Sequence, residues 1–241
     1  MTAKVDEWFE RLLRQPCALC GLPGRKPLCR ACSADLPWIL HACRRCGRPL
    51  PTGTGSGYCA LCDLNLDGLM SCRAALVYEY PVDRLVVGAK FQHRPALAHA
   101  LGSLLAGWLA LRLAHDLRPD IIVPVPLHPA REAKRGFNQA DAIARPVAGR
   151  LGLPLQRRSC RRCRATPAQS GLGGTERRRN LRDAFVCDGK SLRGLTVAVI
   201  DDVVTTGSTA SALALALQGA GATRVDLWTA ARVVPYPAVK V

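Results

Sequence analysis

The residues whose types and spacing best suit chemistry stand together near the C-terminal end. Leu195 to Val203 is apolar or β-branched at every position but Asp201 and Asp202, which stand near its end. Val204 then leads into Thr205-Thr206-Gly207-Ser208-Thr209 and an apolar helical run. A strand of that kind delivers its acids to the carboxyl edge of an open α/β sheet, where ligands bind. The Thr-Gly-Ser turn converges backbone N–H groups on one anion, and Gly207 permits the close approach. The helix behind it adds unpaired N–H groups and the positive end of its dipole. Thr205, Thr206, Ser208 and Thr209 contribute hydroxyl donors. Two carboxylates beside a bound phosphate need a partner of their own. Adjacent sugar hydroxyls fit, with or without a magnesium ion. A strand, a polar turn and a helix are common in α/β proteins, and an Asp-Asp pair alone is a weak signal. The whole string is far more specific.

A second chemistry lies near the other end. Cys17/Cys20, Cys29/Cys32, Cys43/Cys46 and Cys59/Cys62 are four Cys-x-x-Cys pairs among the twelve cysteines of the chain. Two intervening residues form a tight knuckle that turns both sulfurs toward one tetrahedral ion. Four thiolates close the coordination shell, which is structural zinc chemistry. The eight residues predict two zinc ions. The first two pairs form one site and the last two another, or the pairs interleave; the spacing does not choose. Cys160 and Cys163 make a fifth pair with no second pair nearby, and they read as incidental thiols of a loop.

The formal charge of +16 rests mostly on arginine, which grips phosphate with a planar pair of donors. Such an excess points to a polyanion, either a phosphorylated small molecule or nucleic acid. Arg157 to Arg164 and Arg177 to Arg182 are the densest clusters and suit a single-stranded DNA backbone. Aromatic residues make up only 5% of the chain, which argues against a platform for stacking bases. An apolar fraction of 49% supplies a packed core and excludes wholesale disorder.

These groups need elements to hold them. Composition changes near residue 70, giving a Cys-, Gly- and Pro-rich segment at 15–70 and an α/β segment at 71–241. The first is too small to build its own core. The second reads as strands at Ala74–Tyr80, Ile121–Leu127, Leu195–Val203 and Val225–Ala231. Helices are expected at Val82–Phe91, Ala96–Leu117, Asn138–Leu151 and Ser208–Ala220, the last closed by Gly221. Alternation of this kind predicts a mostly parallel sheet. Asn138 caps its helix with Asp141 in the box position. Pro146 then falls inside the helix and predicts a kink or a break. Ala96 to Leu113 is interrupted by His99 and Arg112, so it reads as a buried helix and not a membrane span. The first fourteen residues lack the apolar core of a signal peptide, which places the protein in the cytoplasm.

The string from Val199 to Thr209 resembles, at every position, the 5-phosphoribosyl 1-pyrophosphate (PRPP) motif of type I phosphoribosyltransferases. More of the chain resembles the ComF family in particular. The matching segments are Ala89-Lys90-Phe91 with Leu97-Ala98, and Val123-Pro124-Val125-Pro126-Leu127-His128. Arg131, Arg135-Gly136-Phe137-Asn138-Gln139, Arg164-x-Thr166-x-x-Gln169, Arg177 and Asn180-Leu181 continue the match. The cysteine pairs are similar to that family's double zinc ribbon. The resemblance covers about residues 15 to 232. It implies an α/β fold with a mostly parallel sheet of the type I phosphoribosyltransferase kind and an N-terminal cysteine-rich double zinc ribbon. It implies PRPP contacts from Asp201, Asp202, Val203, Val204, Thr205, Thr206, Gly207, Ser208 and Thr209, with Mg2+ accompanying PRPP. It implies pyrophosphate and hood roles for Lys90, Arg131, Arg135, Asn138, Gln139, Arg164, Gln169, Arg177 and Asn180. The hood from Arg164 to Asn180 would close over the site and exclude water as pyrophosphate leaves. Arg177 or Arg178 would stabilise the leaving charge.

Two functional classes follow. One is a PRPP-using enzyme that transfers the phosphoribosyl group to a base or amine. The other is a non-catalytic accessory protein that uses the fold to hold PRPP or single-stranded DNA. The ComF resemblance implies a part in DNA uptake during natural transformation, beside DNA-uptake proteins. No motif names an acceptor. An amidotransferase is excluded, since Cys17 is not N-terminal and no glutamine-hydrolysing domain fits the length.

Overall fold

The computed structural model describes residues 15–53, 57–60, 62, 66–113, 118–164 and 184–234. Its centre is a four-stranded, fully parallel sheet in the order β3-β8-β7-β4. The strands are β3 (Ser71–Val77), β4 (Ile121–Pro124), β7 (Thr196–Val204) and β8 (Arg224–Arg232). The apolar runs are continuous because both faces are covered. On β7, Ala198 and Ile200 face one core, while Val197 and Val199 face the other. On β8, Trp228 and Ala230 divide from Val225 and Leu227 in the same way.

The first core is covered by α2 (Val82–Phe91), α3 (Pro95–Arg112) and α5 (Gln139–Leu151). The second is covered by α6 (Ser208–Gly219) and the short strand β6 (Phe185–Cys187). Between β4 and α5 stands α4 (Pro129–Arg135), capped by His128 and ended by Gly136 at φ 76°. The sequence reading has no counterpart for α4, because seven mostly charged residues carry too short a period to read.

Several expectations differ from the structure, beginning with β3, which runs Ser71–Val77 and not Ala74–Tyr80, and β4, which stops at Pro124, short of Leu127. Helix α3 ends at Arg112, and residues 114–117 lie outside those described. Pro146 does not split α5 into two helices; it lies inside one helix that runs from Gln139 to Leu151. Gly102 of α3 makes room for it. A Cβ there would collide with the Ile143 carbonyl and lie 2.6 Å from Pro146 Cγ, so the two helices meet across a glycine. Asn138 does cap α5, accepting from Ala140 N at 3.0 Å, but Asp141 serves elsewhere and binds Arg145 and Arg157.

The cysteine-rich segment holds a two-residue pair, β1 (Gln15–Pro16) with β2 (Pro23–Gly24), and a five-residue helix α1 (Arg30–Ala34). It borrows the cores of the sheet. Cys17, Leu28 and Leu36 are buried in the first core, and Cys43, Cys46, Leu66 and Leu69 in the second. Residues 37–39 also pair with the edge strand β3, with Ile39 N donating to Ala75 O and Val77 N to Pro37 O. Among the described residues, no helix is long and apolar enough to cross a membrane.

Candidate functional site

Strand β7 carries Asp201 and Asp202 to the carboxyl edge of the sheet. The loop after it enters α6 through Gly207, which takes φ 77° and leaves the helix N-terminus without a side-chain cap. Thr206 Oγ1 and Ser208 Oγ meet at 2.9 Å across this turn. Residues 203–210 and Asp201 enclose a small hollow of about 60 Å³. Its wall includes Val204, Thr206, Gly207 and Ser208, which the larger cavity beside it does not touch.

That larger cavity, about 360 Å³, is lined by Lys90, Arg131, Arg135, Asn138, Gln139, Asp201, Asp202, Val203, Thr205 and Thr209. Thus most of the residues singled out from the sequence converge on two adjoining hollows. Lys90, in the last turn of α2, pairs with Asp202 at 2.9 Å. Burial pushes the Asp201 carboxyl up to about 7, and neighbouring Asp202 adds to the effect. Lys90, the Asp202 N–H and Arg162 pull the other way. On the opposite wall, Arg135 donates to Gln139 Oε1 at 3.0 Å and lies 5.4 Å from the Phe91 ring centre. Asn138 Nδ2 donates to the Val125 carbonyl at 3.0 Å. Gln139 is buried, and its Nε2 has no partner among the described residues. A buried amide without an acceptor costs about 1–3 kcal/mol, so this donor asks for a ligand oxygen.

Sequence reasoning missed Arg162 as a member of this cavity. It counted the residue with the basic stretch from Arg157 to Arg164. The structure splits that stretch. Cys160–Arg162 forms strand β5, antiparallel to β6, so Arg161 faces outward while Arg162 is buried. Arg162 lines the cavity, spans 5.5 Å to the Phe185 ring centre and donates through Nε to the Arg164 carbonyl. Burial and nearby Arg131 both lower its pKa, and Asp201 opposes them. The alternation of a three-residue strand was the only sequence signal, and it is too short to read. Arg157 is engaged with Asp141 at 2.6 Å. Arg164 is exposed and does not line the cavity. Gln169, Arg177, Arg178, Asn180 and the cluster up to Arg182 lie outside the described residues.

Cys160 is also not an incidental thiol. It lies opposite Cys187 in the β5–β6 register and forms a disulfide with it, leaving Cys163 as an exposed free thiol. Cys187 belongs to no Cys-x-x-Cys pair, so spacing alone could not reveal the bond.

The eight cysteines of the four N-terminal pairs form two groups, Cys17/Cys20/Cys29/Cys32 and Cys43/Cys46/Cys59/Cys62. This is the sequential pairing, not the interleaved one. Within each group the sulfurs lie within 4.8 Å of one another. Sulfur separations include 3.8 Å for Cys20–Cys29 and 3.5 Å for Cys46–Cys59. A tetrahedral zinc with bonds of ~2.3 Å needs sulfurs about 3.8 Å apart, so the donors fit. Burial raises the Cys17 thiol, yet N–H groups of Cys20, Cys29 and Leu19 outweigh it and bring it down to about 6. Burial likewise opposes the N–H groups of Cys46, Cys59 and Arg45 at Cys43, which ends at about 7. Cys72, close by, is pushed up to about 12 by burial and stays a protonated core residue.

Fold and site together define a class: two four-cysteine groups suited to structural zinc, built onto a parallel α/β sheet whose central strand runs into a loop of the phosphoribosyltransferase type. Residues 9–63 match the double zinc ribbon domain. The DNA utilization protein YhgH of Salmonella typhi is 35% identical, over 90% of this chain and 96% of its own. Competence protein F of Haemophilus influenzae is 29% identical, over 86% of this chain and 85% of its own. Competence protein ComFC of Bacillus subtilis is 29% identical, over 80% and 78%. This chain belongs to the ComF family. Among solved structures, a purine phosphoribosyltransferase from Pyrococcus horikoshii is 16% identical, with a TM-score of 0.32 over 70% of this chain and 97% of that one. The strand order and the loop, not that likeness, define the fold.

Proposed function

We propose that the two adjoining hollows bind PRPP and that the protein serves DNA utilization as a phosphoribosyl-handling member of its family. The observation that carries this reading is the placement of Asp201 and Asp202 between an anion cradle and a cation-lined cavity. The cradle at 205–209 takes the 5-phosphate, through N–H groups at the α6 terminus. The carboxylates accept hydrogen bonds from the two ribose hydroxyls. The pyrophosphate then lies toward Arg131, Arg135 and Arg162, with the Gln139 amide donating to one of its oxygens. Asp201 and Asp202 are hard oxygen donors of the type magnesium takes, and a magnesium ion bound with PRPP would neutralise pyrophosphate charge.

In transfer, the bond from ribose C1 to pyrophosphate breaks, and the electron pair leaves with pyrophosphate. The acceptor nitrogen then bonds to C1 and loses its proton. The arginines stabilise the leaving charge, and the fixed positions of the two ends hold the sugar for attack. Residues 15–70 act as the ribbon that braces the 71–241 domain. Mixing the protein with PRPP and candidate bases or amines, and measuring pyrophosphate release, tests transfer. Calorimetry with PRPP alone tests binding.

A second reading rests on the exposed arginines and on the relatives named for DNA utilization and competence. Arg158 and Arg161 are exposed. They suit a single-stranded DNA backbone, which would make the protein a cytoplasmic accessory of DNA uptake.

A further inference from the structure

Arg232, the last residue of β8, has no exposed surface. Buried arginines are costly unless every donor is used. Its Nε donates to the Cys46 carbonyl at 3.3 Å, and its Nη1 donates to the Thr205 carbonyl at 2.9 Å. Nη1 also reaches the carbonyl of Val233. Cys46 is a ligand of the second cysteine group, and Thr205 is the first residue of the phosphate loop. One guanidinium therefore ties a zinc knuckle to the anion cradle.

The surroundings reinforce the link. Cys72 N donates to the Arg45 carbonyl within the same knuckle. Gly47 takes φ 68° there, and a Cβ at that position would lie 3.0 Å from the Cys72 carbonyl. Farther along the ribbon, Asp67 O accepts from Ser211 Oγ in the first turn of α6 at 2.7 Å. Gly68 lies against the backbone of Ala214 and Leu215 so closely that a Cβ would meet Leu215 N at 2.9 Å. The phosphate loop is thus held at its start by Arg232 and at its helix by residues 67–68, both reached from the second cysteine group. The first group lies in the other core, against the α2 and α3 side of the sheet.

We infer that Arg232 is a positioning residue through which metal in the second cysteine group, and not in the first, sets the shape of the phosphate loop and its affinity for phosphoribosyl ligands. Metal fixes the knuckle, the knuckle fixes the Cys46 carbonyl, and Arg232 carries that position to Thr205. The ligand half of this inference rests on the PRPP reading above, while the loop half does not.

Two measurements separate them: amide hydrogen exchange of residues 205–209 without ligand, and PRPP binding by calorimetry. Cys62→Ser and Cys20→Ser each open one group, with loss of zinc checked by elemental analysis. Expected for Cys62→Ser is faster exchange in the loop and about tenfold weaker PRPP binding, within the usual range of coupling between sites. Expected for Cys20→Ser is unchanged exchange and affinity. Arg232→Met should reproduce the Cys62→Ser effect with zinc content retained. Arg232→Lys, with a single nitrogen that cannot span both carbonyls, should recover only part of it. If Arg232→Met does not fold, the two cysteine variants still decide. Equal effects from both cysteine variants, or none from Cys62→Ser, overturn the inference. Wild-type protein that ignores PRPP while its loop exchange still responds to Cys62→Ser would remove the PRPP reading and keep the coupling.

Discussion

The two walls of the larger cavity are built differently. On one side, Asp201, Asp202 and the loop to Thr209 extend directly from β7, a central strand paired on both edges. On the other side, Arg131 and Arg135 stand on a seven-residue helix, and Arg162 on a three-residue strand. The first wall takes its geometry from the sheet. The second is held by local devices: the Arg135–Gln139 hydrogen bond, the stacking of Arg162 on Phe185 and the Cys160–Cys187 disulfide. Under the proposed function, the sheet-built wall is the rigid one that would position phosphate and sugar, and the locally braced wall is the adjustable one that would take the departing charge.

The sharpest break of that comparison comes at the rigid wall. Asp201→Asn with Asp202→Asn should weaken PRPP binding at least about 100-fold, because charge-assisted hydrogen bonds to the sugar are lost. Inorganic pyrophosphate binding should change little, and circular dichroism should show the fold intact. Equal loss for both ligands in calorimetry would erase the distinction between the walls.

Arg162→Ala attacks the adjustable wall. The expected result is roughly tenfold weaker binding of PRPP and of pyrophosphate, the scale of one lost charged hydrogen bond. Ribose 5-phosphate affinity should be unchanged. A matching loss for ribose 5-phosphate would place Arg162 on the sugar side.

The disulfide offers a smaller effect on binding and a larger one on stability. Its cysteines are 27 residues apart. Closing a loop of that length is worth about 3–4 kcal/mol by the chain-entropy relation. Cys187→Ser should lower the denaturant midpoint by a corresponding amount and weaken pyrophosphate binding only a few-fold. An unchanged midpoint would show that β5 and β6 hold together without it.

The titration of Asp201 sharpens the same contrast. Its carboxyl is raised from 3.8 to about 7, chiefly by burial. The folded protein therefore holds this proton more tightly than the unfolded chain does. The resulting stability is present at low pH and is lost as pH rises through about 7. PRPP affinity should rise over the same window as the carboxylate forms, and Asp201→Asn should flatten the profile.

Arg158→Ala with Arg161→Ala should leave PRPP binding alone. For single-stranded DNA it should reduce the slope of log affinity against log salt by about 0.7 per lost phosphate contact. A PRPP defect in that variant would move these side chains from the outer surface into the site.

The contrast between the walls also explains what the sequence made legible. Strand β7 and helix α6 were read to within a residue or so, because seven β-branched or apolar positions out of nine and a glycine-bounded helix repeat their pattern long enough to register. The cysteine pairs were legible because metal geometry imposes a fixed spacing. Helix α4 and strands β5 and β6 are three to seven residues long, and no periodicity forms over such lengths. Arg162 was seen as charge and not as direction, and Cys160 was matched to Cys163 by spacing when its partner is Cys187 across a strand pair. The split into two helices expected as one outcome at Pro146 does not occur, and the glycine that makes room for the proline sits on a different helix.

The central claim is that the two walls grip two ends of one molecule. Calorimetric titration of the wild-type protein with PRPP, ribose 5-phosphate and pyrophosphate, each with magnesium, tests it directly. The account predicts that PRPP binds at least tenfold more tightly than either fragment, because one molecule then engages both walls at once. PRPP binding no tighter than pyrophosphate alone would contradict it.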